Sequence, residues 1–289
     1  MRIAFDPFMF RKSVPLLDLP ALAVDLGFDA IELTPRPDFL LQHVSPRVTS
    51  AGIRAFRGAL DAAGVDVVSC LVLYRWSSPD EAERAAAVRY WTRAIDVVAE
   101  LGCKLISTDF YGRPERAEAS EAQFWKSVEE LLPRFEGAGI GLALEAHPDD
   151  FVEDGYQATR LARAIGSPLV SYVFCIPHIF SMGGGARALL RDAADLISIV
   201  HVADTWDQRA SSGLRYLINP PTTPVRVHQH LEIGKGEIDF DDVFEGLREI
   251  GFDGIMTSAV NGFEDRAEEV TRSNRAKMDE LLRKHGLSS

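Results

Sequence analysis

Apolar and polar positions along the chain follow two periods in alternation. Short β-rich apolar runs at 2–6, 30–33, 67–73, 104–110, 140–147, 170–176, 196–204 and 254–260 predict eight strands. Between them, 79–101, 120–137, 153–165 and 264–285 carry helical periodicity, with Pro79 near the start of the first and Gly102 just past its end. One phrase recurs: an amphipathic helix, a glycine, then an apolar strand. It reads Leu26-Gly27-Phe28-Asp29-Ala30-Ile31-Glu32-Leu33 early and Ile250-Gly251-Phe252-Asp253-Gly254-Ile255-Met256-Thr257 late, with shorter echoes at Gly64, Gly102, Gly139 and Gly166. A glycine there suits the left-handed residue that lets a helix turn into a strand.

Eight strands alternating with helices, at about 36 residues per unit, predict an α/β protein built as a (β/α)8 TIM barrel. The expected organisation is a single domain over residues 1–289. A doubly wound open sheet competes, but no GxGxxG follows the first strand and no composition break divides the chain. One interval is irregular: roughly 58 residues separate the starts of the seventh and eighth strands, against about 36 elsewhere. The excess is a long loop at about 205–237, read as functional, with Trp206, three prolines and the run Arg226-Val227-His228-Gln229-His230.

Composition narrows the function classes. Lys plus Arg number 31 and Asp plus Glu 43, a formal net charge of −12 that disfavours nucleic-acid partners. The 46% apolar content suits a large core, and no run approaches the ~20 apolar residues of a membrane span. The N-terminal Met1-Arg2-Ile3-Ala4-Phe5-Asp6 lacks the long apolar stretch of a signal peptide, so a cytoplasmic protein is expected. Cys70, Cys103 and Cys175 are too few and too widely spaced for a disulfide framework or a CxxC zinc clip.

In a barrel of this kind, a polar residue ending an apolar strand is the informative event, because the active site sits at the C-terminal strand ends. Asp6, Asp109, Glu145 with His147, His178, and His201 with Asp204 all occupy or follow such ends, and Glu32 lies within the second strand. A carboxylate placed like Glu145 is costly to bury unless it pairs or binds a cation. His147, two residues on, points to the same side and suits proton transfer or substrate contact. Five of the seven histidines, His147, His178, His201, His228 and His230, gather between 147 and 230, whereas His43 and His285 read as surface residues. Imidazoles with one carboxylate suit Mn, Zn, Co or Fe better than Ca or Mg. His228 and His230 share a face if extended, so His230 is assigned as ligand and His228 to substrate. Trp76, Tyr111 and Trp206 are candidate apolar walls for a sugar ring, and Gly183-Gly184-Gly185 is a weak candidate for anion contact.

These residues resemble a known family. Gly27-Phe28-Asp29-Ala30-Ile31-Glu32-Leu33, Leu144-Glu145-Ala146-His147-Pro148, His201-Val202-Ala203-Asp204 and Ile233-Gly234-Lys235-Gly236-Glu237-Ile238-Asp239 look like the sugar phosphate isomerase/epimerase superfamily of xylose isomerase-like TIM barrels. The piece from Gly213 to Pro221, followed by Val225 to Leu231, is similar to the inositol-catabolism branch, and more loosely to related C-glycoside-cleaving subunits. The resemblance implies a divalent metal (Mn, Mg, Co or Zn) and a sugar-like polyol or ketose substrate. It carries the family's first and third metal ligands onto Glu145 and His201, while the second and fourth positions hold Cys175 and Ser258 in place of carboxylates. The expectation is that His178 and His230 take over those two ligand roles.

The resulting reading is a metal-dependent isomerase or epimerase that abstracts a proton next to the carbonyl of a keto-sugar or keto-inositol. Glu145, His178, His201 and His230 hold the metal; Glu145 and His147 are catalytic; Asp109, Asp204, His228 and Trp206 contact substrate. A small-molecule sugar or cyclitol and a homo-oligomer are the expected partners, with no nucleic acid or membrane. Two alternatives stand beside it: a lyase-type C-glycoside deglycosidase subunit working with a partner chain, and a non-catalytic polyol-binding barrel. The superfamily's DNA-repair chemistry is disfavoured by the acid excess and the missing carboxylates.

Overall fold

The computed structural model describes residues 1–40, 48–183, 185–206 and 229–287. Eight parallel strands close into a barrel in sequence order: β1 Arg2–Phe5, β2 Ala30–Leu33, β3 Asp66–Leu71, β4 Leu105–Asp109, β5 Gly141–Glu145, β6 Val170–Cys175, β7 Ile197–Val202 and β8 Ile255–Ser258. Every one falls within a residue of its predicted apolar run or inside it. Nine helices lie among the described residues: α1 Leu19–Asp25, α2 Ser50–Ala63, α3 Glu81–Leu101, α4 Ala117–Ala138, α5 Gly155–Ile165, α6 Ile176–Ser181, α7 Ala186–Asp192, α8 Phe240–Glu249 and α9 Ala267–His285. The glycine punctuation acts as expected: α3 and α4 stop at Gly102 and Gly139, each in the left-handed conformation, at φ 89° and φ 62°.

Two layers of side chains follow from the period-2 geometry of the strands. The apolar positions Leu105, Ala143, Val173, Ile199 and Ile255 form their own small cluster inside the barrel. Two residues further along each strand, on the same face, stand Ser107, Glu145, Cys175, His201 and Thr257. A dry apolar layer therefore supports a polar layer directly above it, towards the C-terminal ends. Strand register pairs Cys175 with His201 and His201 with Thr257 within that layer, and sets Asp109 beside Glu145 at its edge.

Outside the strands, α3 and α4 clamp an aromatic cluster in which Trp76 packs against Trp91 at 5.1 Å and against Phe124 at 5.2 Å. Trp76 is fully buried there and donates Nε1–H to the Asp109 carbonyl at 3.1 Å, so it is a core residue and not a substrate wall. Most of the predicted functional loop, including His228, lies outside the described residues, as do His43 and Gly184. No helix among the described residues is long and apolar enough to cross a membrane.

Candidate active site

The polar layer is the floor of a cavity of about 720 Å³ that opens at the C-terminal face of the barrel. Glu145, His147, His178, His201 and His230 all line it, together with Asp6, Glu32, Asp109, Asp150 and Asn261. Four of the expected site residues are deeply buried: Glu145 and His178 are 3% exposed, His201 6% and His230 7%.

Each side chain is held by identifiable partners. Glu32 is gripped at both oxygens, Oε1 by the Ser107 hydroxyl at 2.7 Å and Oε2 by the Thr257 hydroxyl at 2.7 Å. Oε2 also lies 3.1 Å from His201 Nε2. The other His201 nitrogen, Nδ1, faces Glu145 Oε1 at 3.4 Å. Burial alone would depress the His201 pKa, but Glu145 and Glu32 outweigh it and hold the imidazole well above its ordinary value. Burial alone would raise the Glu145 carboxyl, yet His201 and His178 hold it well below the usual carboxylate range. His201 thus sits between two carboxylates that favour its charged form when no cation takes their place.

His178 and His230 are arranged differently. His178 Nδ1 meets the Ala146 carbonyl at 3.0 Å and Glu145 Oε1 at 3.0 Å, and His230 Nδ1 meets the Ala259 carbonyl at 2.6 Å. A carbonyl only accepts, so each Nδ1 carries the proton and each neutral ring presents a lone pair at Nε2. Those two Nε2 atoms lie 3.2 Å apart. Burial favours the neutral rings, lowering the His178 pKa and, with His178 beside it, pressing His230 to about 3. Two lone pairs at that spacing call for a cation between them, and a backbone carbonyl or carboxylate behind each imidazole is the usual support of a metal-binding histidine. The donor set fits a divalent ion.

Among the described residues the ligand atoms form two overlapping triplets, Cys175 with His178 and His230, and Glu145 with Cys175 and His201, each within 4.8 Å. A third group, Asp109, His147 and Asp150, sits at the rim of the cavity. His147 stands edge-on to His178 with ring centroids 4.6 Å apart, and its Nδ1 donates to the Pro148 carbonyl at 2.7 Å. Burial would lower its pKa, but Asp109, Asp150 and Glu145 raise it. Burial lifts the Asp109 carboxyl to about 6, and lifts Asp150 well above the ordinary range. Asp150 Oδ2 accepts from the Tyr111 backbone N–H at 2.7 Å, latching the β4 loop to the β5 loop where Tyr111 and Asp149 take left-handed φ angles of 60° and 72°.

Two expected substrate contacts need correction. Asp204 is fully buried, and its carboxylate accepts four backbone N–H groups: Thr205 at 2.9 Å, Gly234 at 2.8 Å, Gly236 at 2.8 Å and Ile238 at 3.2 Å. It ties the 231–238 segment to β7 and has no capacity left for a sugar hydroxyl. Trp206 is half-buried against the apolar core, and the described cavity lining does not include it. Three residues escaped the expected site. Glu32 and Asp6 were visible as carboxylates in or after apolar strands, and burial lifts Asp6 to about 7 against hydrogen bonds from Thr34 and the Phe8 N–H. Asn261, whose buried Oδ1 has no hydrogen-bond partner among the described residues, carried no signal. Of the family-departure positions, Ser258 Oγ accepts from Asn274 Nδ2 at 2.9 Å.

A closed eight-stranded barrel with an imidazole–carboxylate floor defines the class. The chain belongs to the xylose isomerase-like TIM barrel family, whose model matches residues 20–287. It is 24% identical over 278 residues to the L-ribulose-5-phosphate 3-epimerase UlaE of Escherichia coli, covering 92% of this chain and 91% of that protein. It is 28% identical to the inosose isomerase of Bacillus velezensis over 143 residues, 50% of this chain and only 46% of that protein, so this match spans about half of each. Among solved structures the fold is similar to the IOLI protein with a bound zinc atom, with a TM-score of 0.75 and 20% identity over 99% of both chains. It is also similar to the 3-keto-D-glucoside 4-epimerase YcjR from E. coli, with a TM-score of 0.71 and 19% identity over 98% of this chain and 99% of that one.

Proposed function

We propose that this protein is a divalent-metal-dependent isomerase or epimerase that moves a proton next to the carbonyl of a keto-sugar or keto-inositol. The observation that carries the reading is the pair of lone-pair nitrogens on His178 and His230, 3.2 Å apart, with Glu145 and His201 beside them and the acid–base residue His147 against the His178 ring. Named relatives that act on ribulose 5-phosphate and inosose, and a zinc-bound structure of the same fold, support it.

Glu145, His178, His201 and His230 would hold the ion, which when bound would polarise a substrate carbonyl or hydroxyl. His147 is the proposed base. Its Nδ1–H is committed to Pro148, so Nε2 takes the proton, and the neighbouring carboxylates of Asp109 and Asp150 stabilise the imidazolium that results. Asp109, with its carboxyl near 6, can exchange a proton with a substrate hydroxyl near neutral pH. Asn261 Oδ1 accepts from another hydroxyl. β8 supplies no second carboxylate: Ser258 turns to Asn274 of α9, and the end of the strand presents Ala259 and Asn261 to the cavity, neither of which can serve as a second base. One base on one side of the substrate favours isomerisation, in which the same group returns the proton to the neighbouring carbon.

Product analysis on inosose and a panel of ketoses tests this, with protein as purified, chelator-treated, and reloaded with Zn, Co, Mn or Mg. Turnover that is lost on chelation and restored by metal is expected. Polyol binding without turnover under every metal would overturn the proposal in favour of a non-catalytic barrel.

A further inference from the structure

Cys175 belongs to neither the ligand set nor the acid–base set, yet its thiol occupies the vertex common to both metal-binding triplets. It ends β6 in register with His201, is 1% exposed, and its Sγ lies 4.0 Å from His230 Nε2. We infer that Cys175 is itself a metal ligand, and that it makes the site selective for a borderline or soft divalent ion such as zinc or cobalt over magnesium. This rests on the metal-dependent reading above and sharpens which ions can serve.

The spacing supports it. Two nitrogens bound at ~2.0–2.1 Å to a tetrahedral zinc lie about 3.3 Å apart, and a zinc-bound sulfur lies about 3.6 Å from a zinc-bound nitrogen. The corresponding separations are 3.2 Å between the His178 and His230 Nε2 atoms and 4.0 Å from Cys175 Sγ to His230 Nε2. A small turn of the Cys175 side chain closes the difference. Carboxylates favour hard ions such as magnesium and manganese, whereas a thiolate with imidazoles favours zinc and cobalt. Ligation breaks one S–H bond, forms one sulfur–metal bond and releases one proton to solvent. A thiol serving only to fill space would gain nothing from this position, where two imidazoles, a carboxylate and a third imidazole surround it.

The test is a titration of the chelator-stripped protein with Co²⁺, followed by absorption spectroscopy. Thiolate ligation adds a sulfur-to-cobalt charge-transfer band in the near ultraviolet to the visible d–d bands. Wild type is expected to show both. Cys175→Ser should keep the d–d bands, lose the charge-transfer band, and bind Zn²⁺ roughly 100-fold more weakly, while its affinity for Mg²⁺ changes little. A wild-type spectrum with d–d bands but no charge-transfer band overturns the ligand assignment and leaves the proposed reaction standing. Absence of any Co²⁺ uptake overturns both. The wild-type spectrum decides the matter even if Cys175→Ser fails to fold.

Discussion

Glu32 Oε2 lies 3.1 Å from His201 Nε2, a contact between β2 and β7 that spans 169 residues of sequence. With Nε2–H directed at Glu32, Nδ1 is the nitrogen that would face an ion on the Glu145 side under the proposed function. Glu32→Gln keeps the size of the side chain but removes the charge that holds the ring. Zinc affinity measured by competition with a chromogenic chelator should fall about 10- to 100-fold. Unchanged affinity would show that Glu32 does not support the ligand.

Asp6 makes the fold sensitive to pH. Its carboxyl is raised to about 7 by burial, from an ordinary value of 3.8. A raised carboxyl binds its proton more tightly in the folded state than in the unfolded one, so stability is greatest below the unfolded value and declines as pH rises towards 7. At about 1.4 kcal/mol per pKa unit the loss is at most about 4 kcal/mol. Asp6→Asn retains an Oδ1 acceptor for the Phe8 N–H and the Thr34 hydroxyl. Denaturant unfolding at pH 5 and pH 8 should show the variant gaining on wild type at the higher pH. A parallel pH dependence in both proteins would contradict the assignment.

Asp204 is a structural clamp, and its loss should act on stability first. Asp204→Ala strands four backbone N–H groups, that of Thr205 buried and the other three partly so, and is expected to cost about 2–4 kcal/mol, a drop in Tm of roughly 3–7 °C. Gly236→Ala should be comparably damaging, because an added Cβ would lie 2.3 Å from Asp204 Oδ1 and 2.3 Å from the Thr205 carbonyl. Thermal unfolding followed by circular dichroism measures both. The clamp also holds the β-bridge between Asp204 and Leu231, next to His230, so residual metal affinity in either variant should fall with it.

The barrel was legible because its signals are local: a strand is an apolar run, and a helix end is a glycine a few residues earlier. The histidine-rich floor was legible for the same reason, since Glu145, His178 and His201 each end or follow a strand. Glu32 was visible but its role was not, because Ser107, His201 and Thr257 come from three distant strands that only barrel closure brings together. Asp204 misled for the opposite reason. It ends a strand like a site residue, but its partners are backbone N–H groups of 234–238, and backbone donors leave no mark on a side-chain pattern. Cys175 reads in the sequence as a lost carboxylate because its surroundings come from its neighbours, three of which, Glu145, His201 and His230, belong to other strands or loops.

Asn261 offers a separate check on substrate placement. Its Oδ1 lines the cavity without a partner among the described residues, so Asn261→Ala should raise KM about 10-fold while leaving kcat nearly unchanged. A fall in kcat at constant KM would place Asn261 in the chemistry instead.

The proposed function depends above all on proton abstraction next to a carbonyl by His147, above the floor of imidazoles and carboxylate. Incubation of the metal-loaded protein with inosose or a ketose in D₂O, followed by NMR or mass spectrometry, reads that step directly and does not require net product. Deuterium should enter the carbon adjacent to the carbonyl, and incorporation should fall at least 100-fold in His147→Asn and on chelation. Absence of deuterium in wild type with every substrate tried, or equal incorporation in wild type and His147→Asn, would contradict the account.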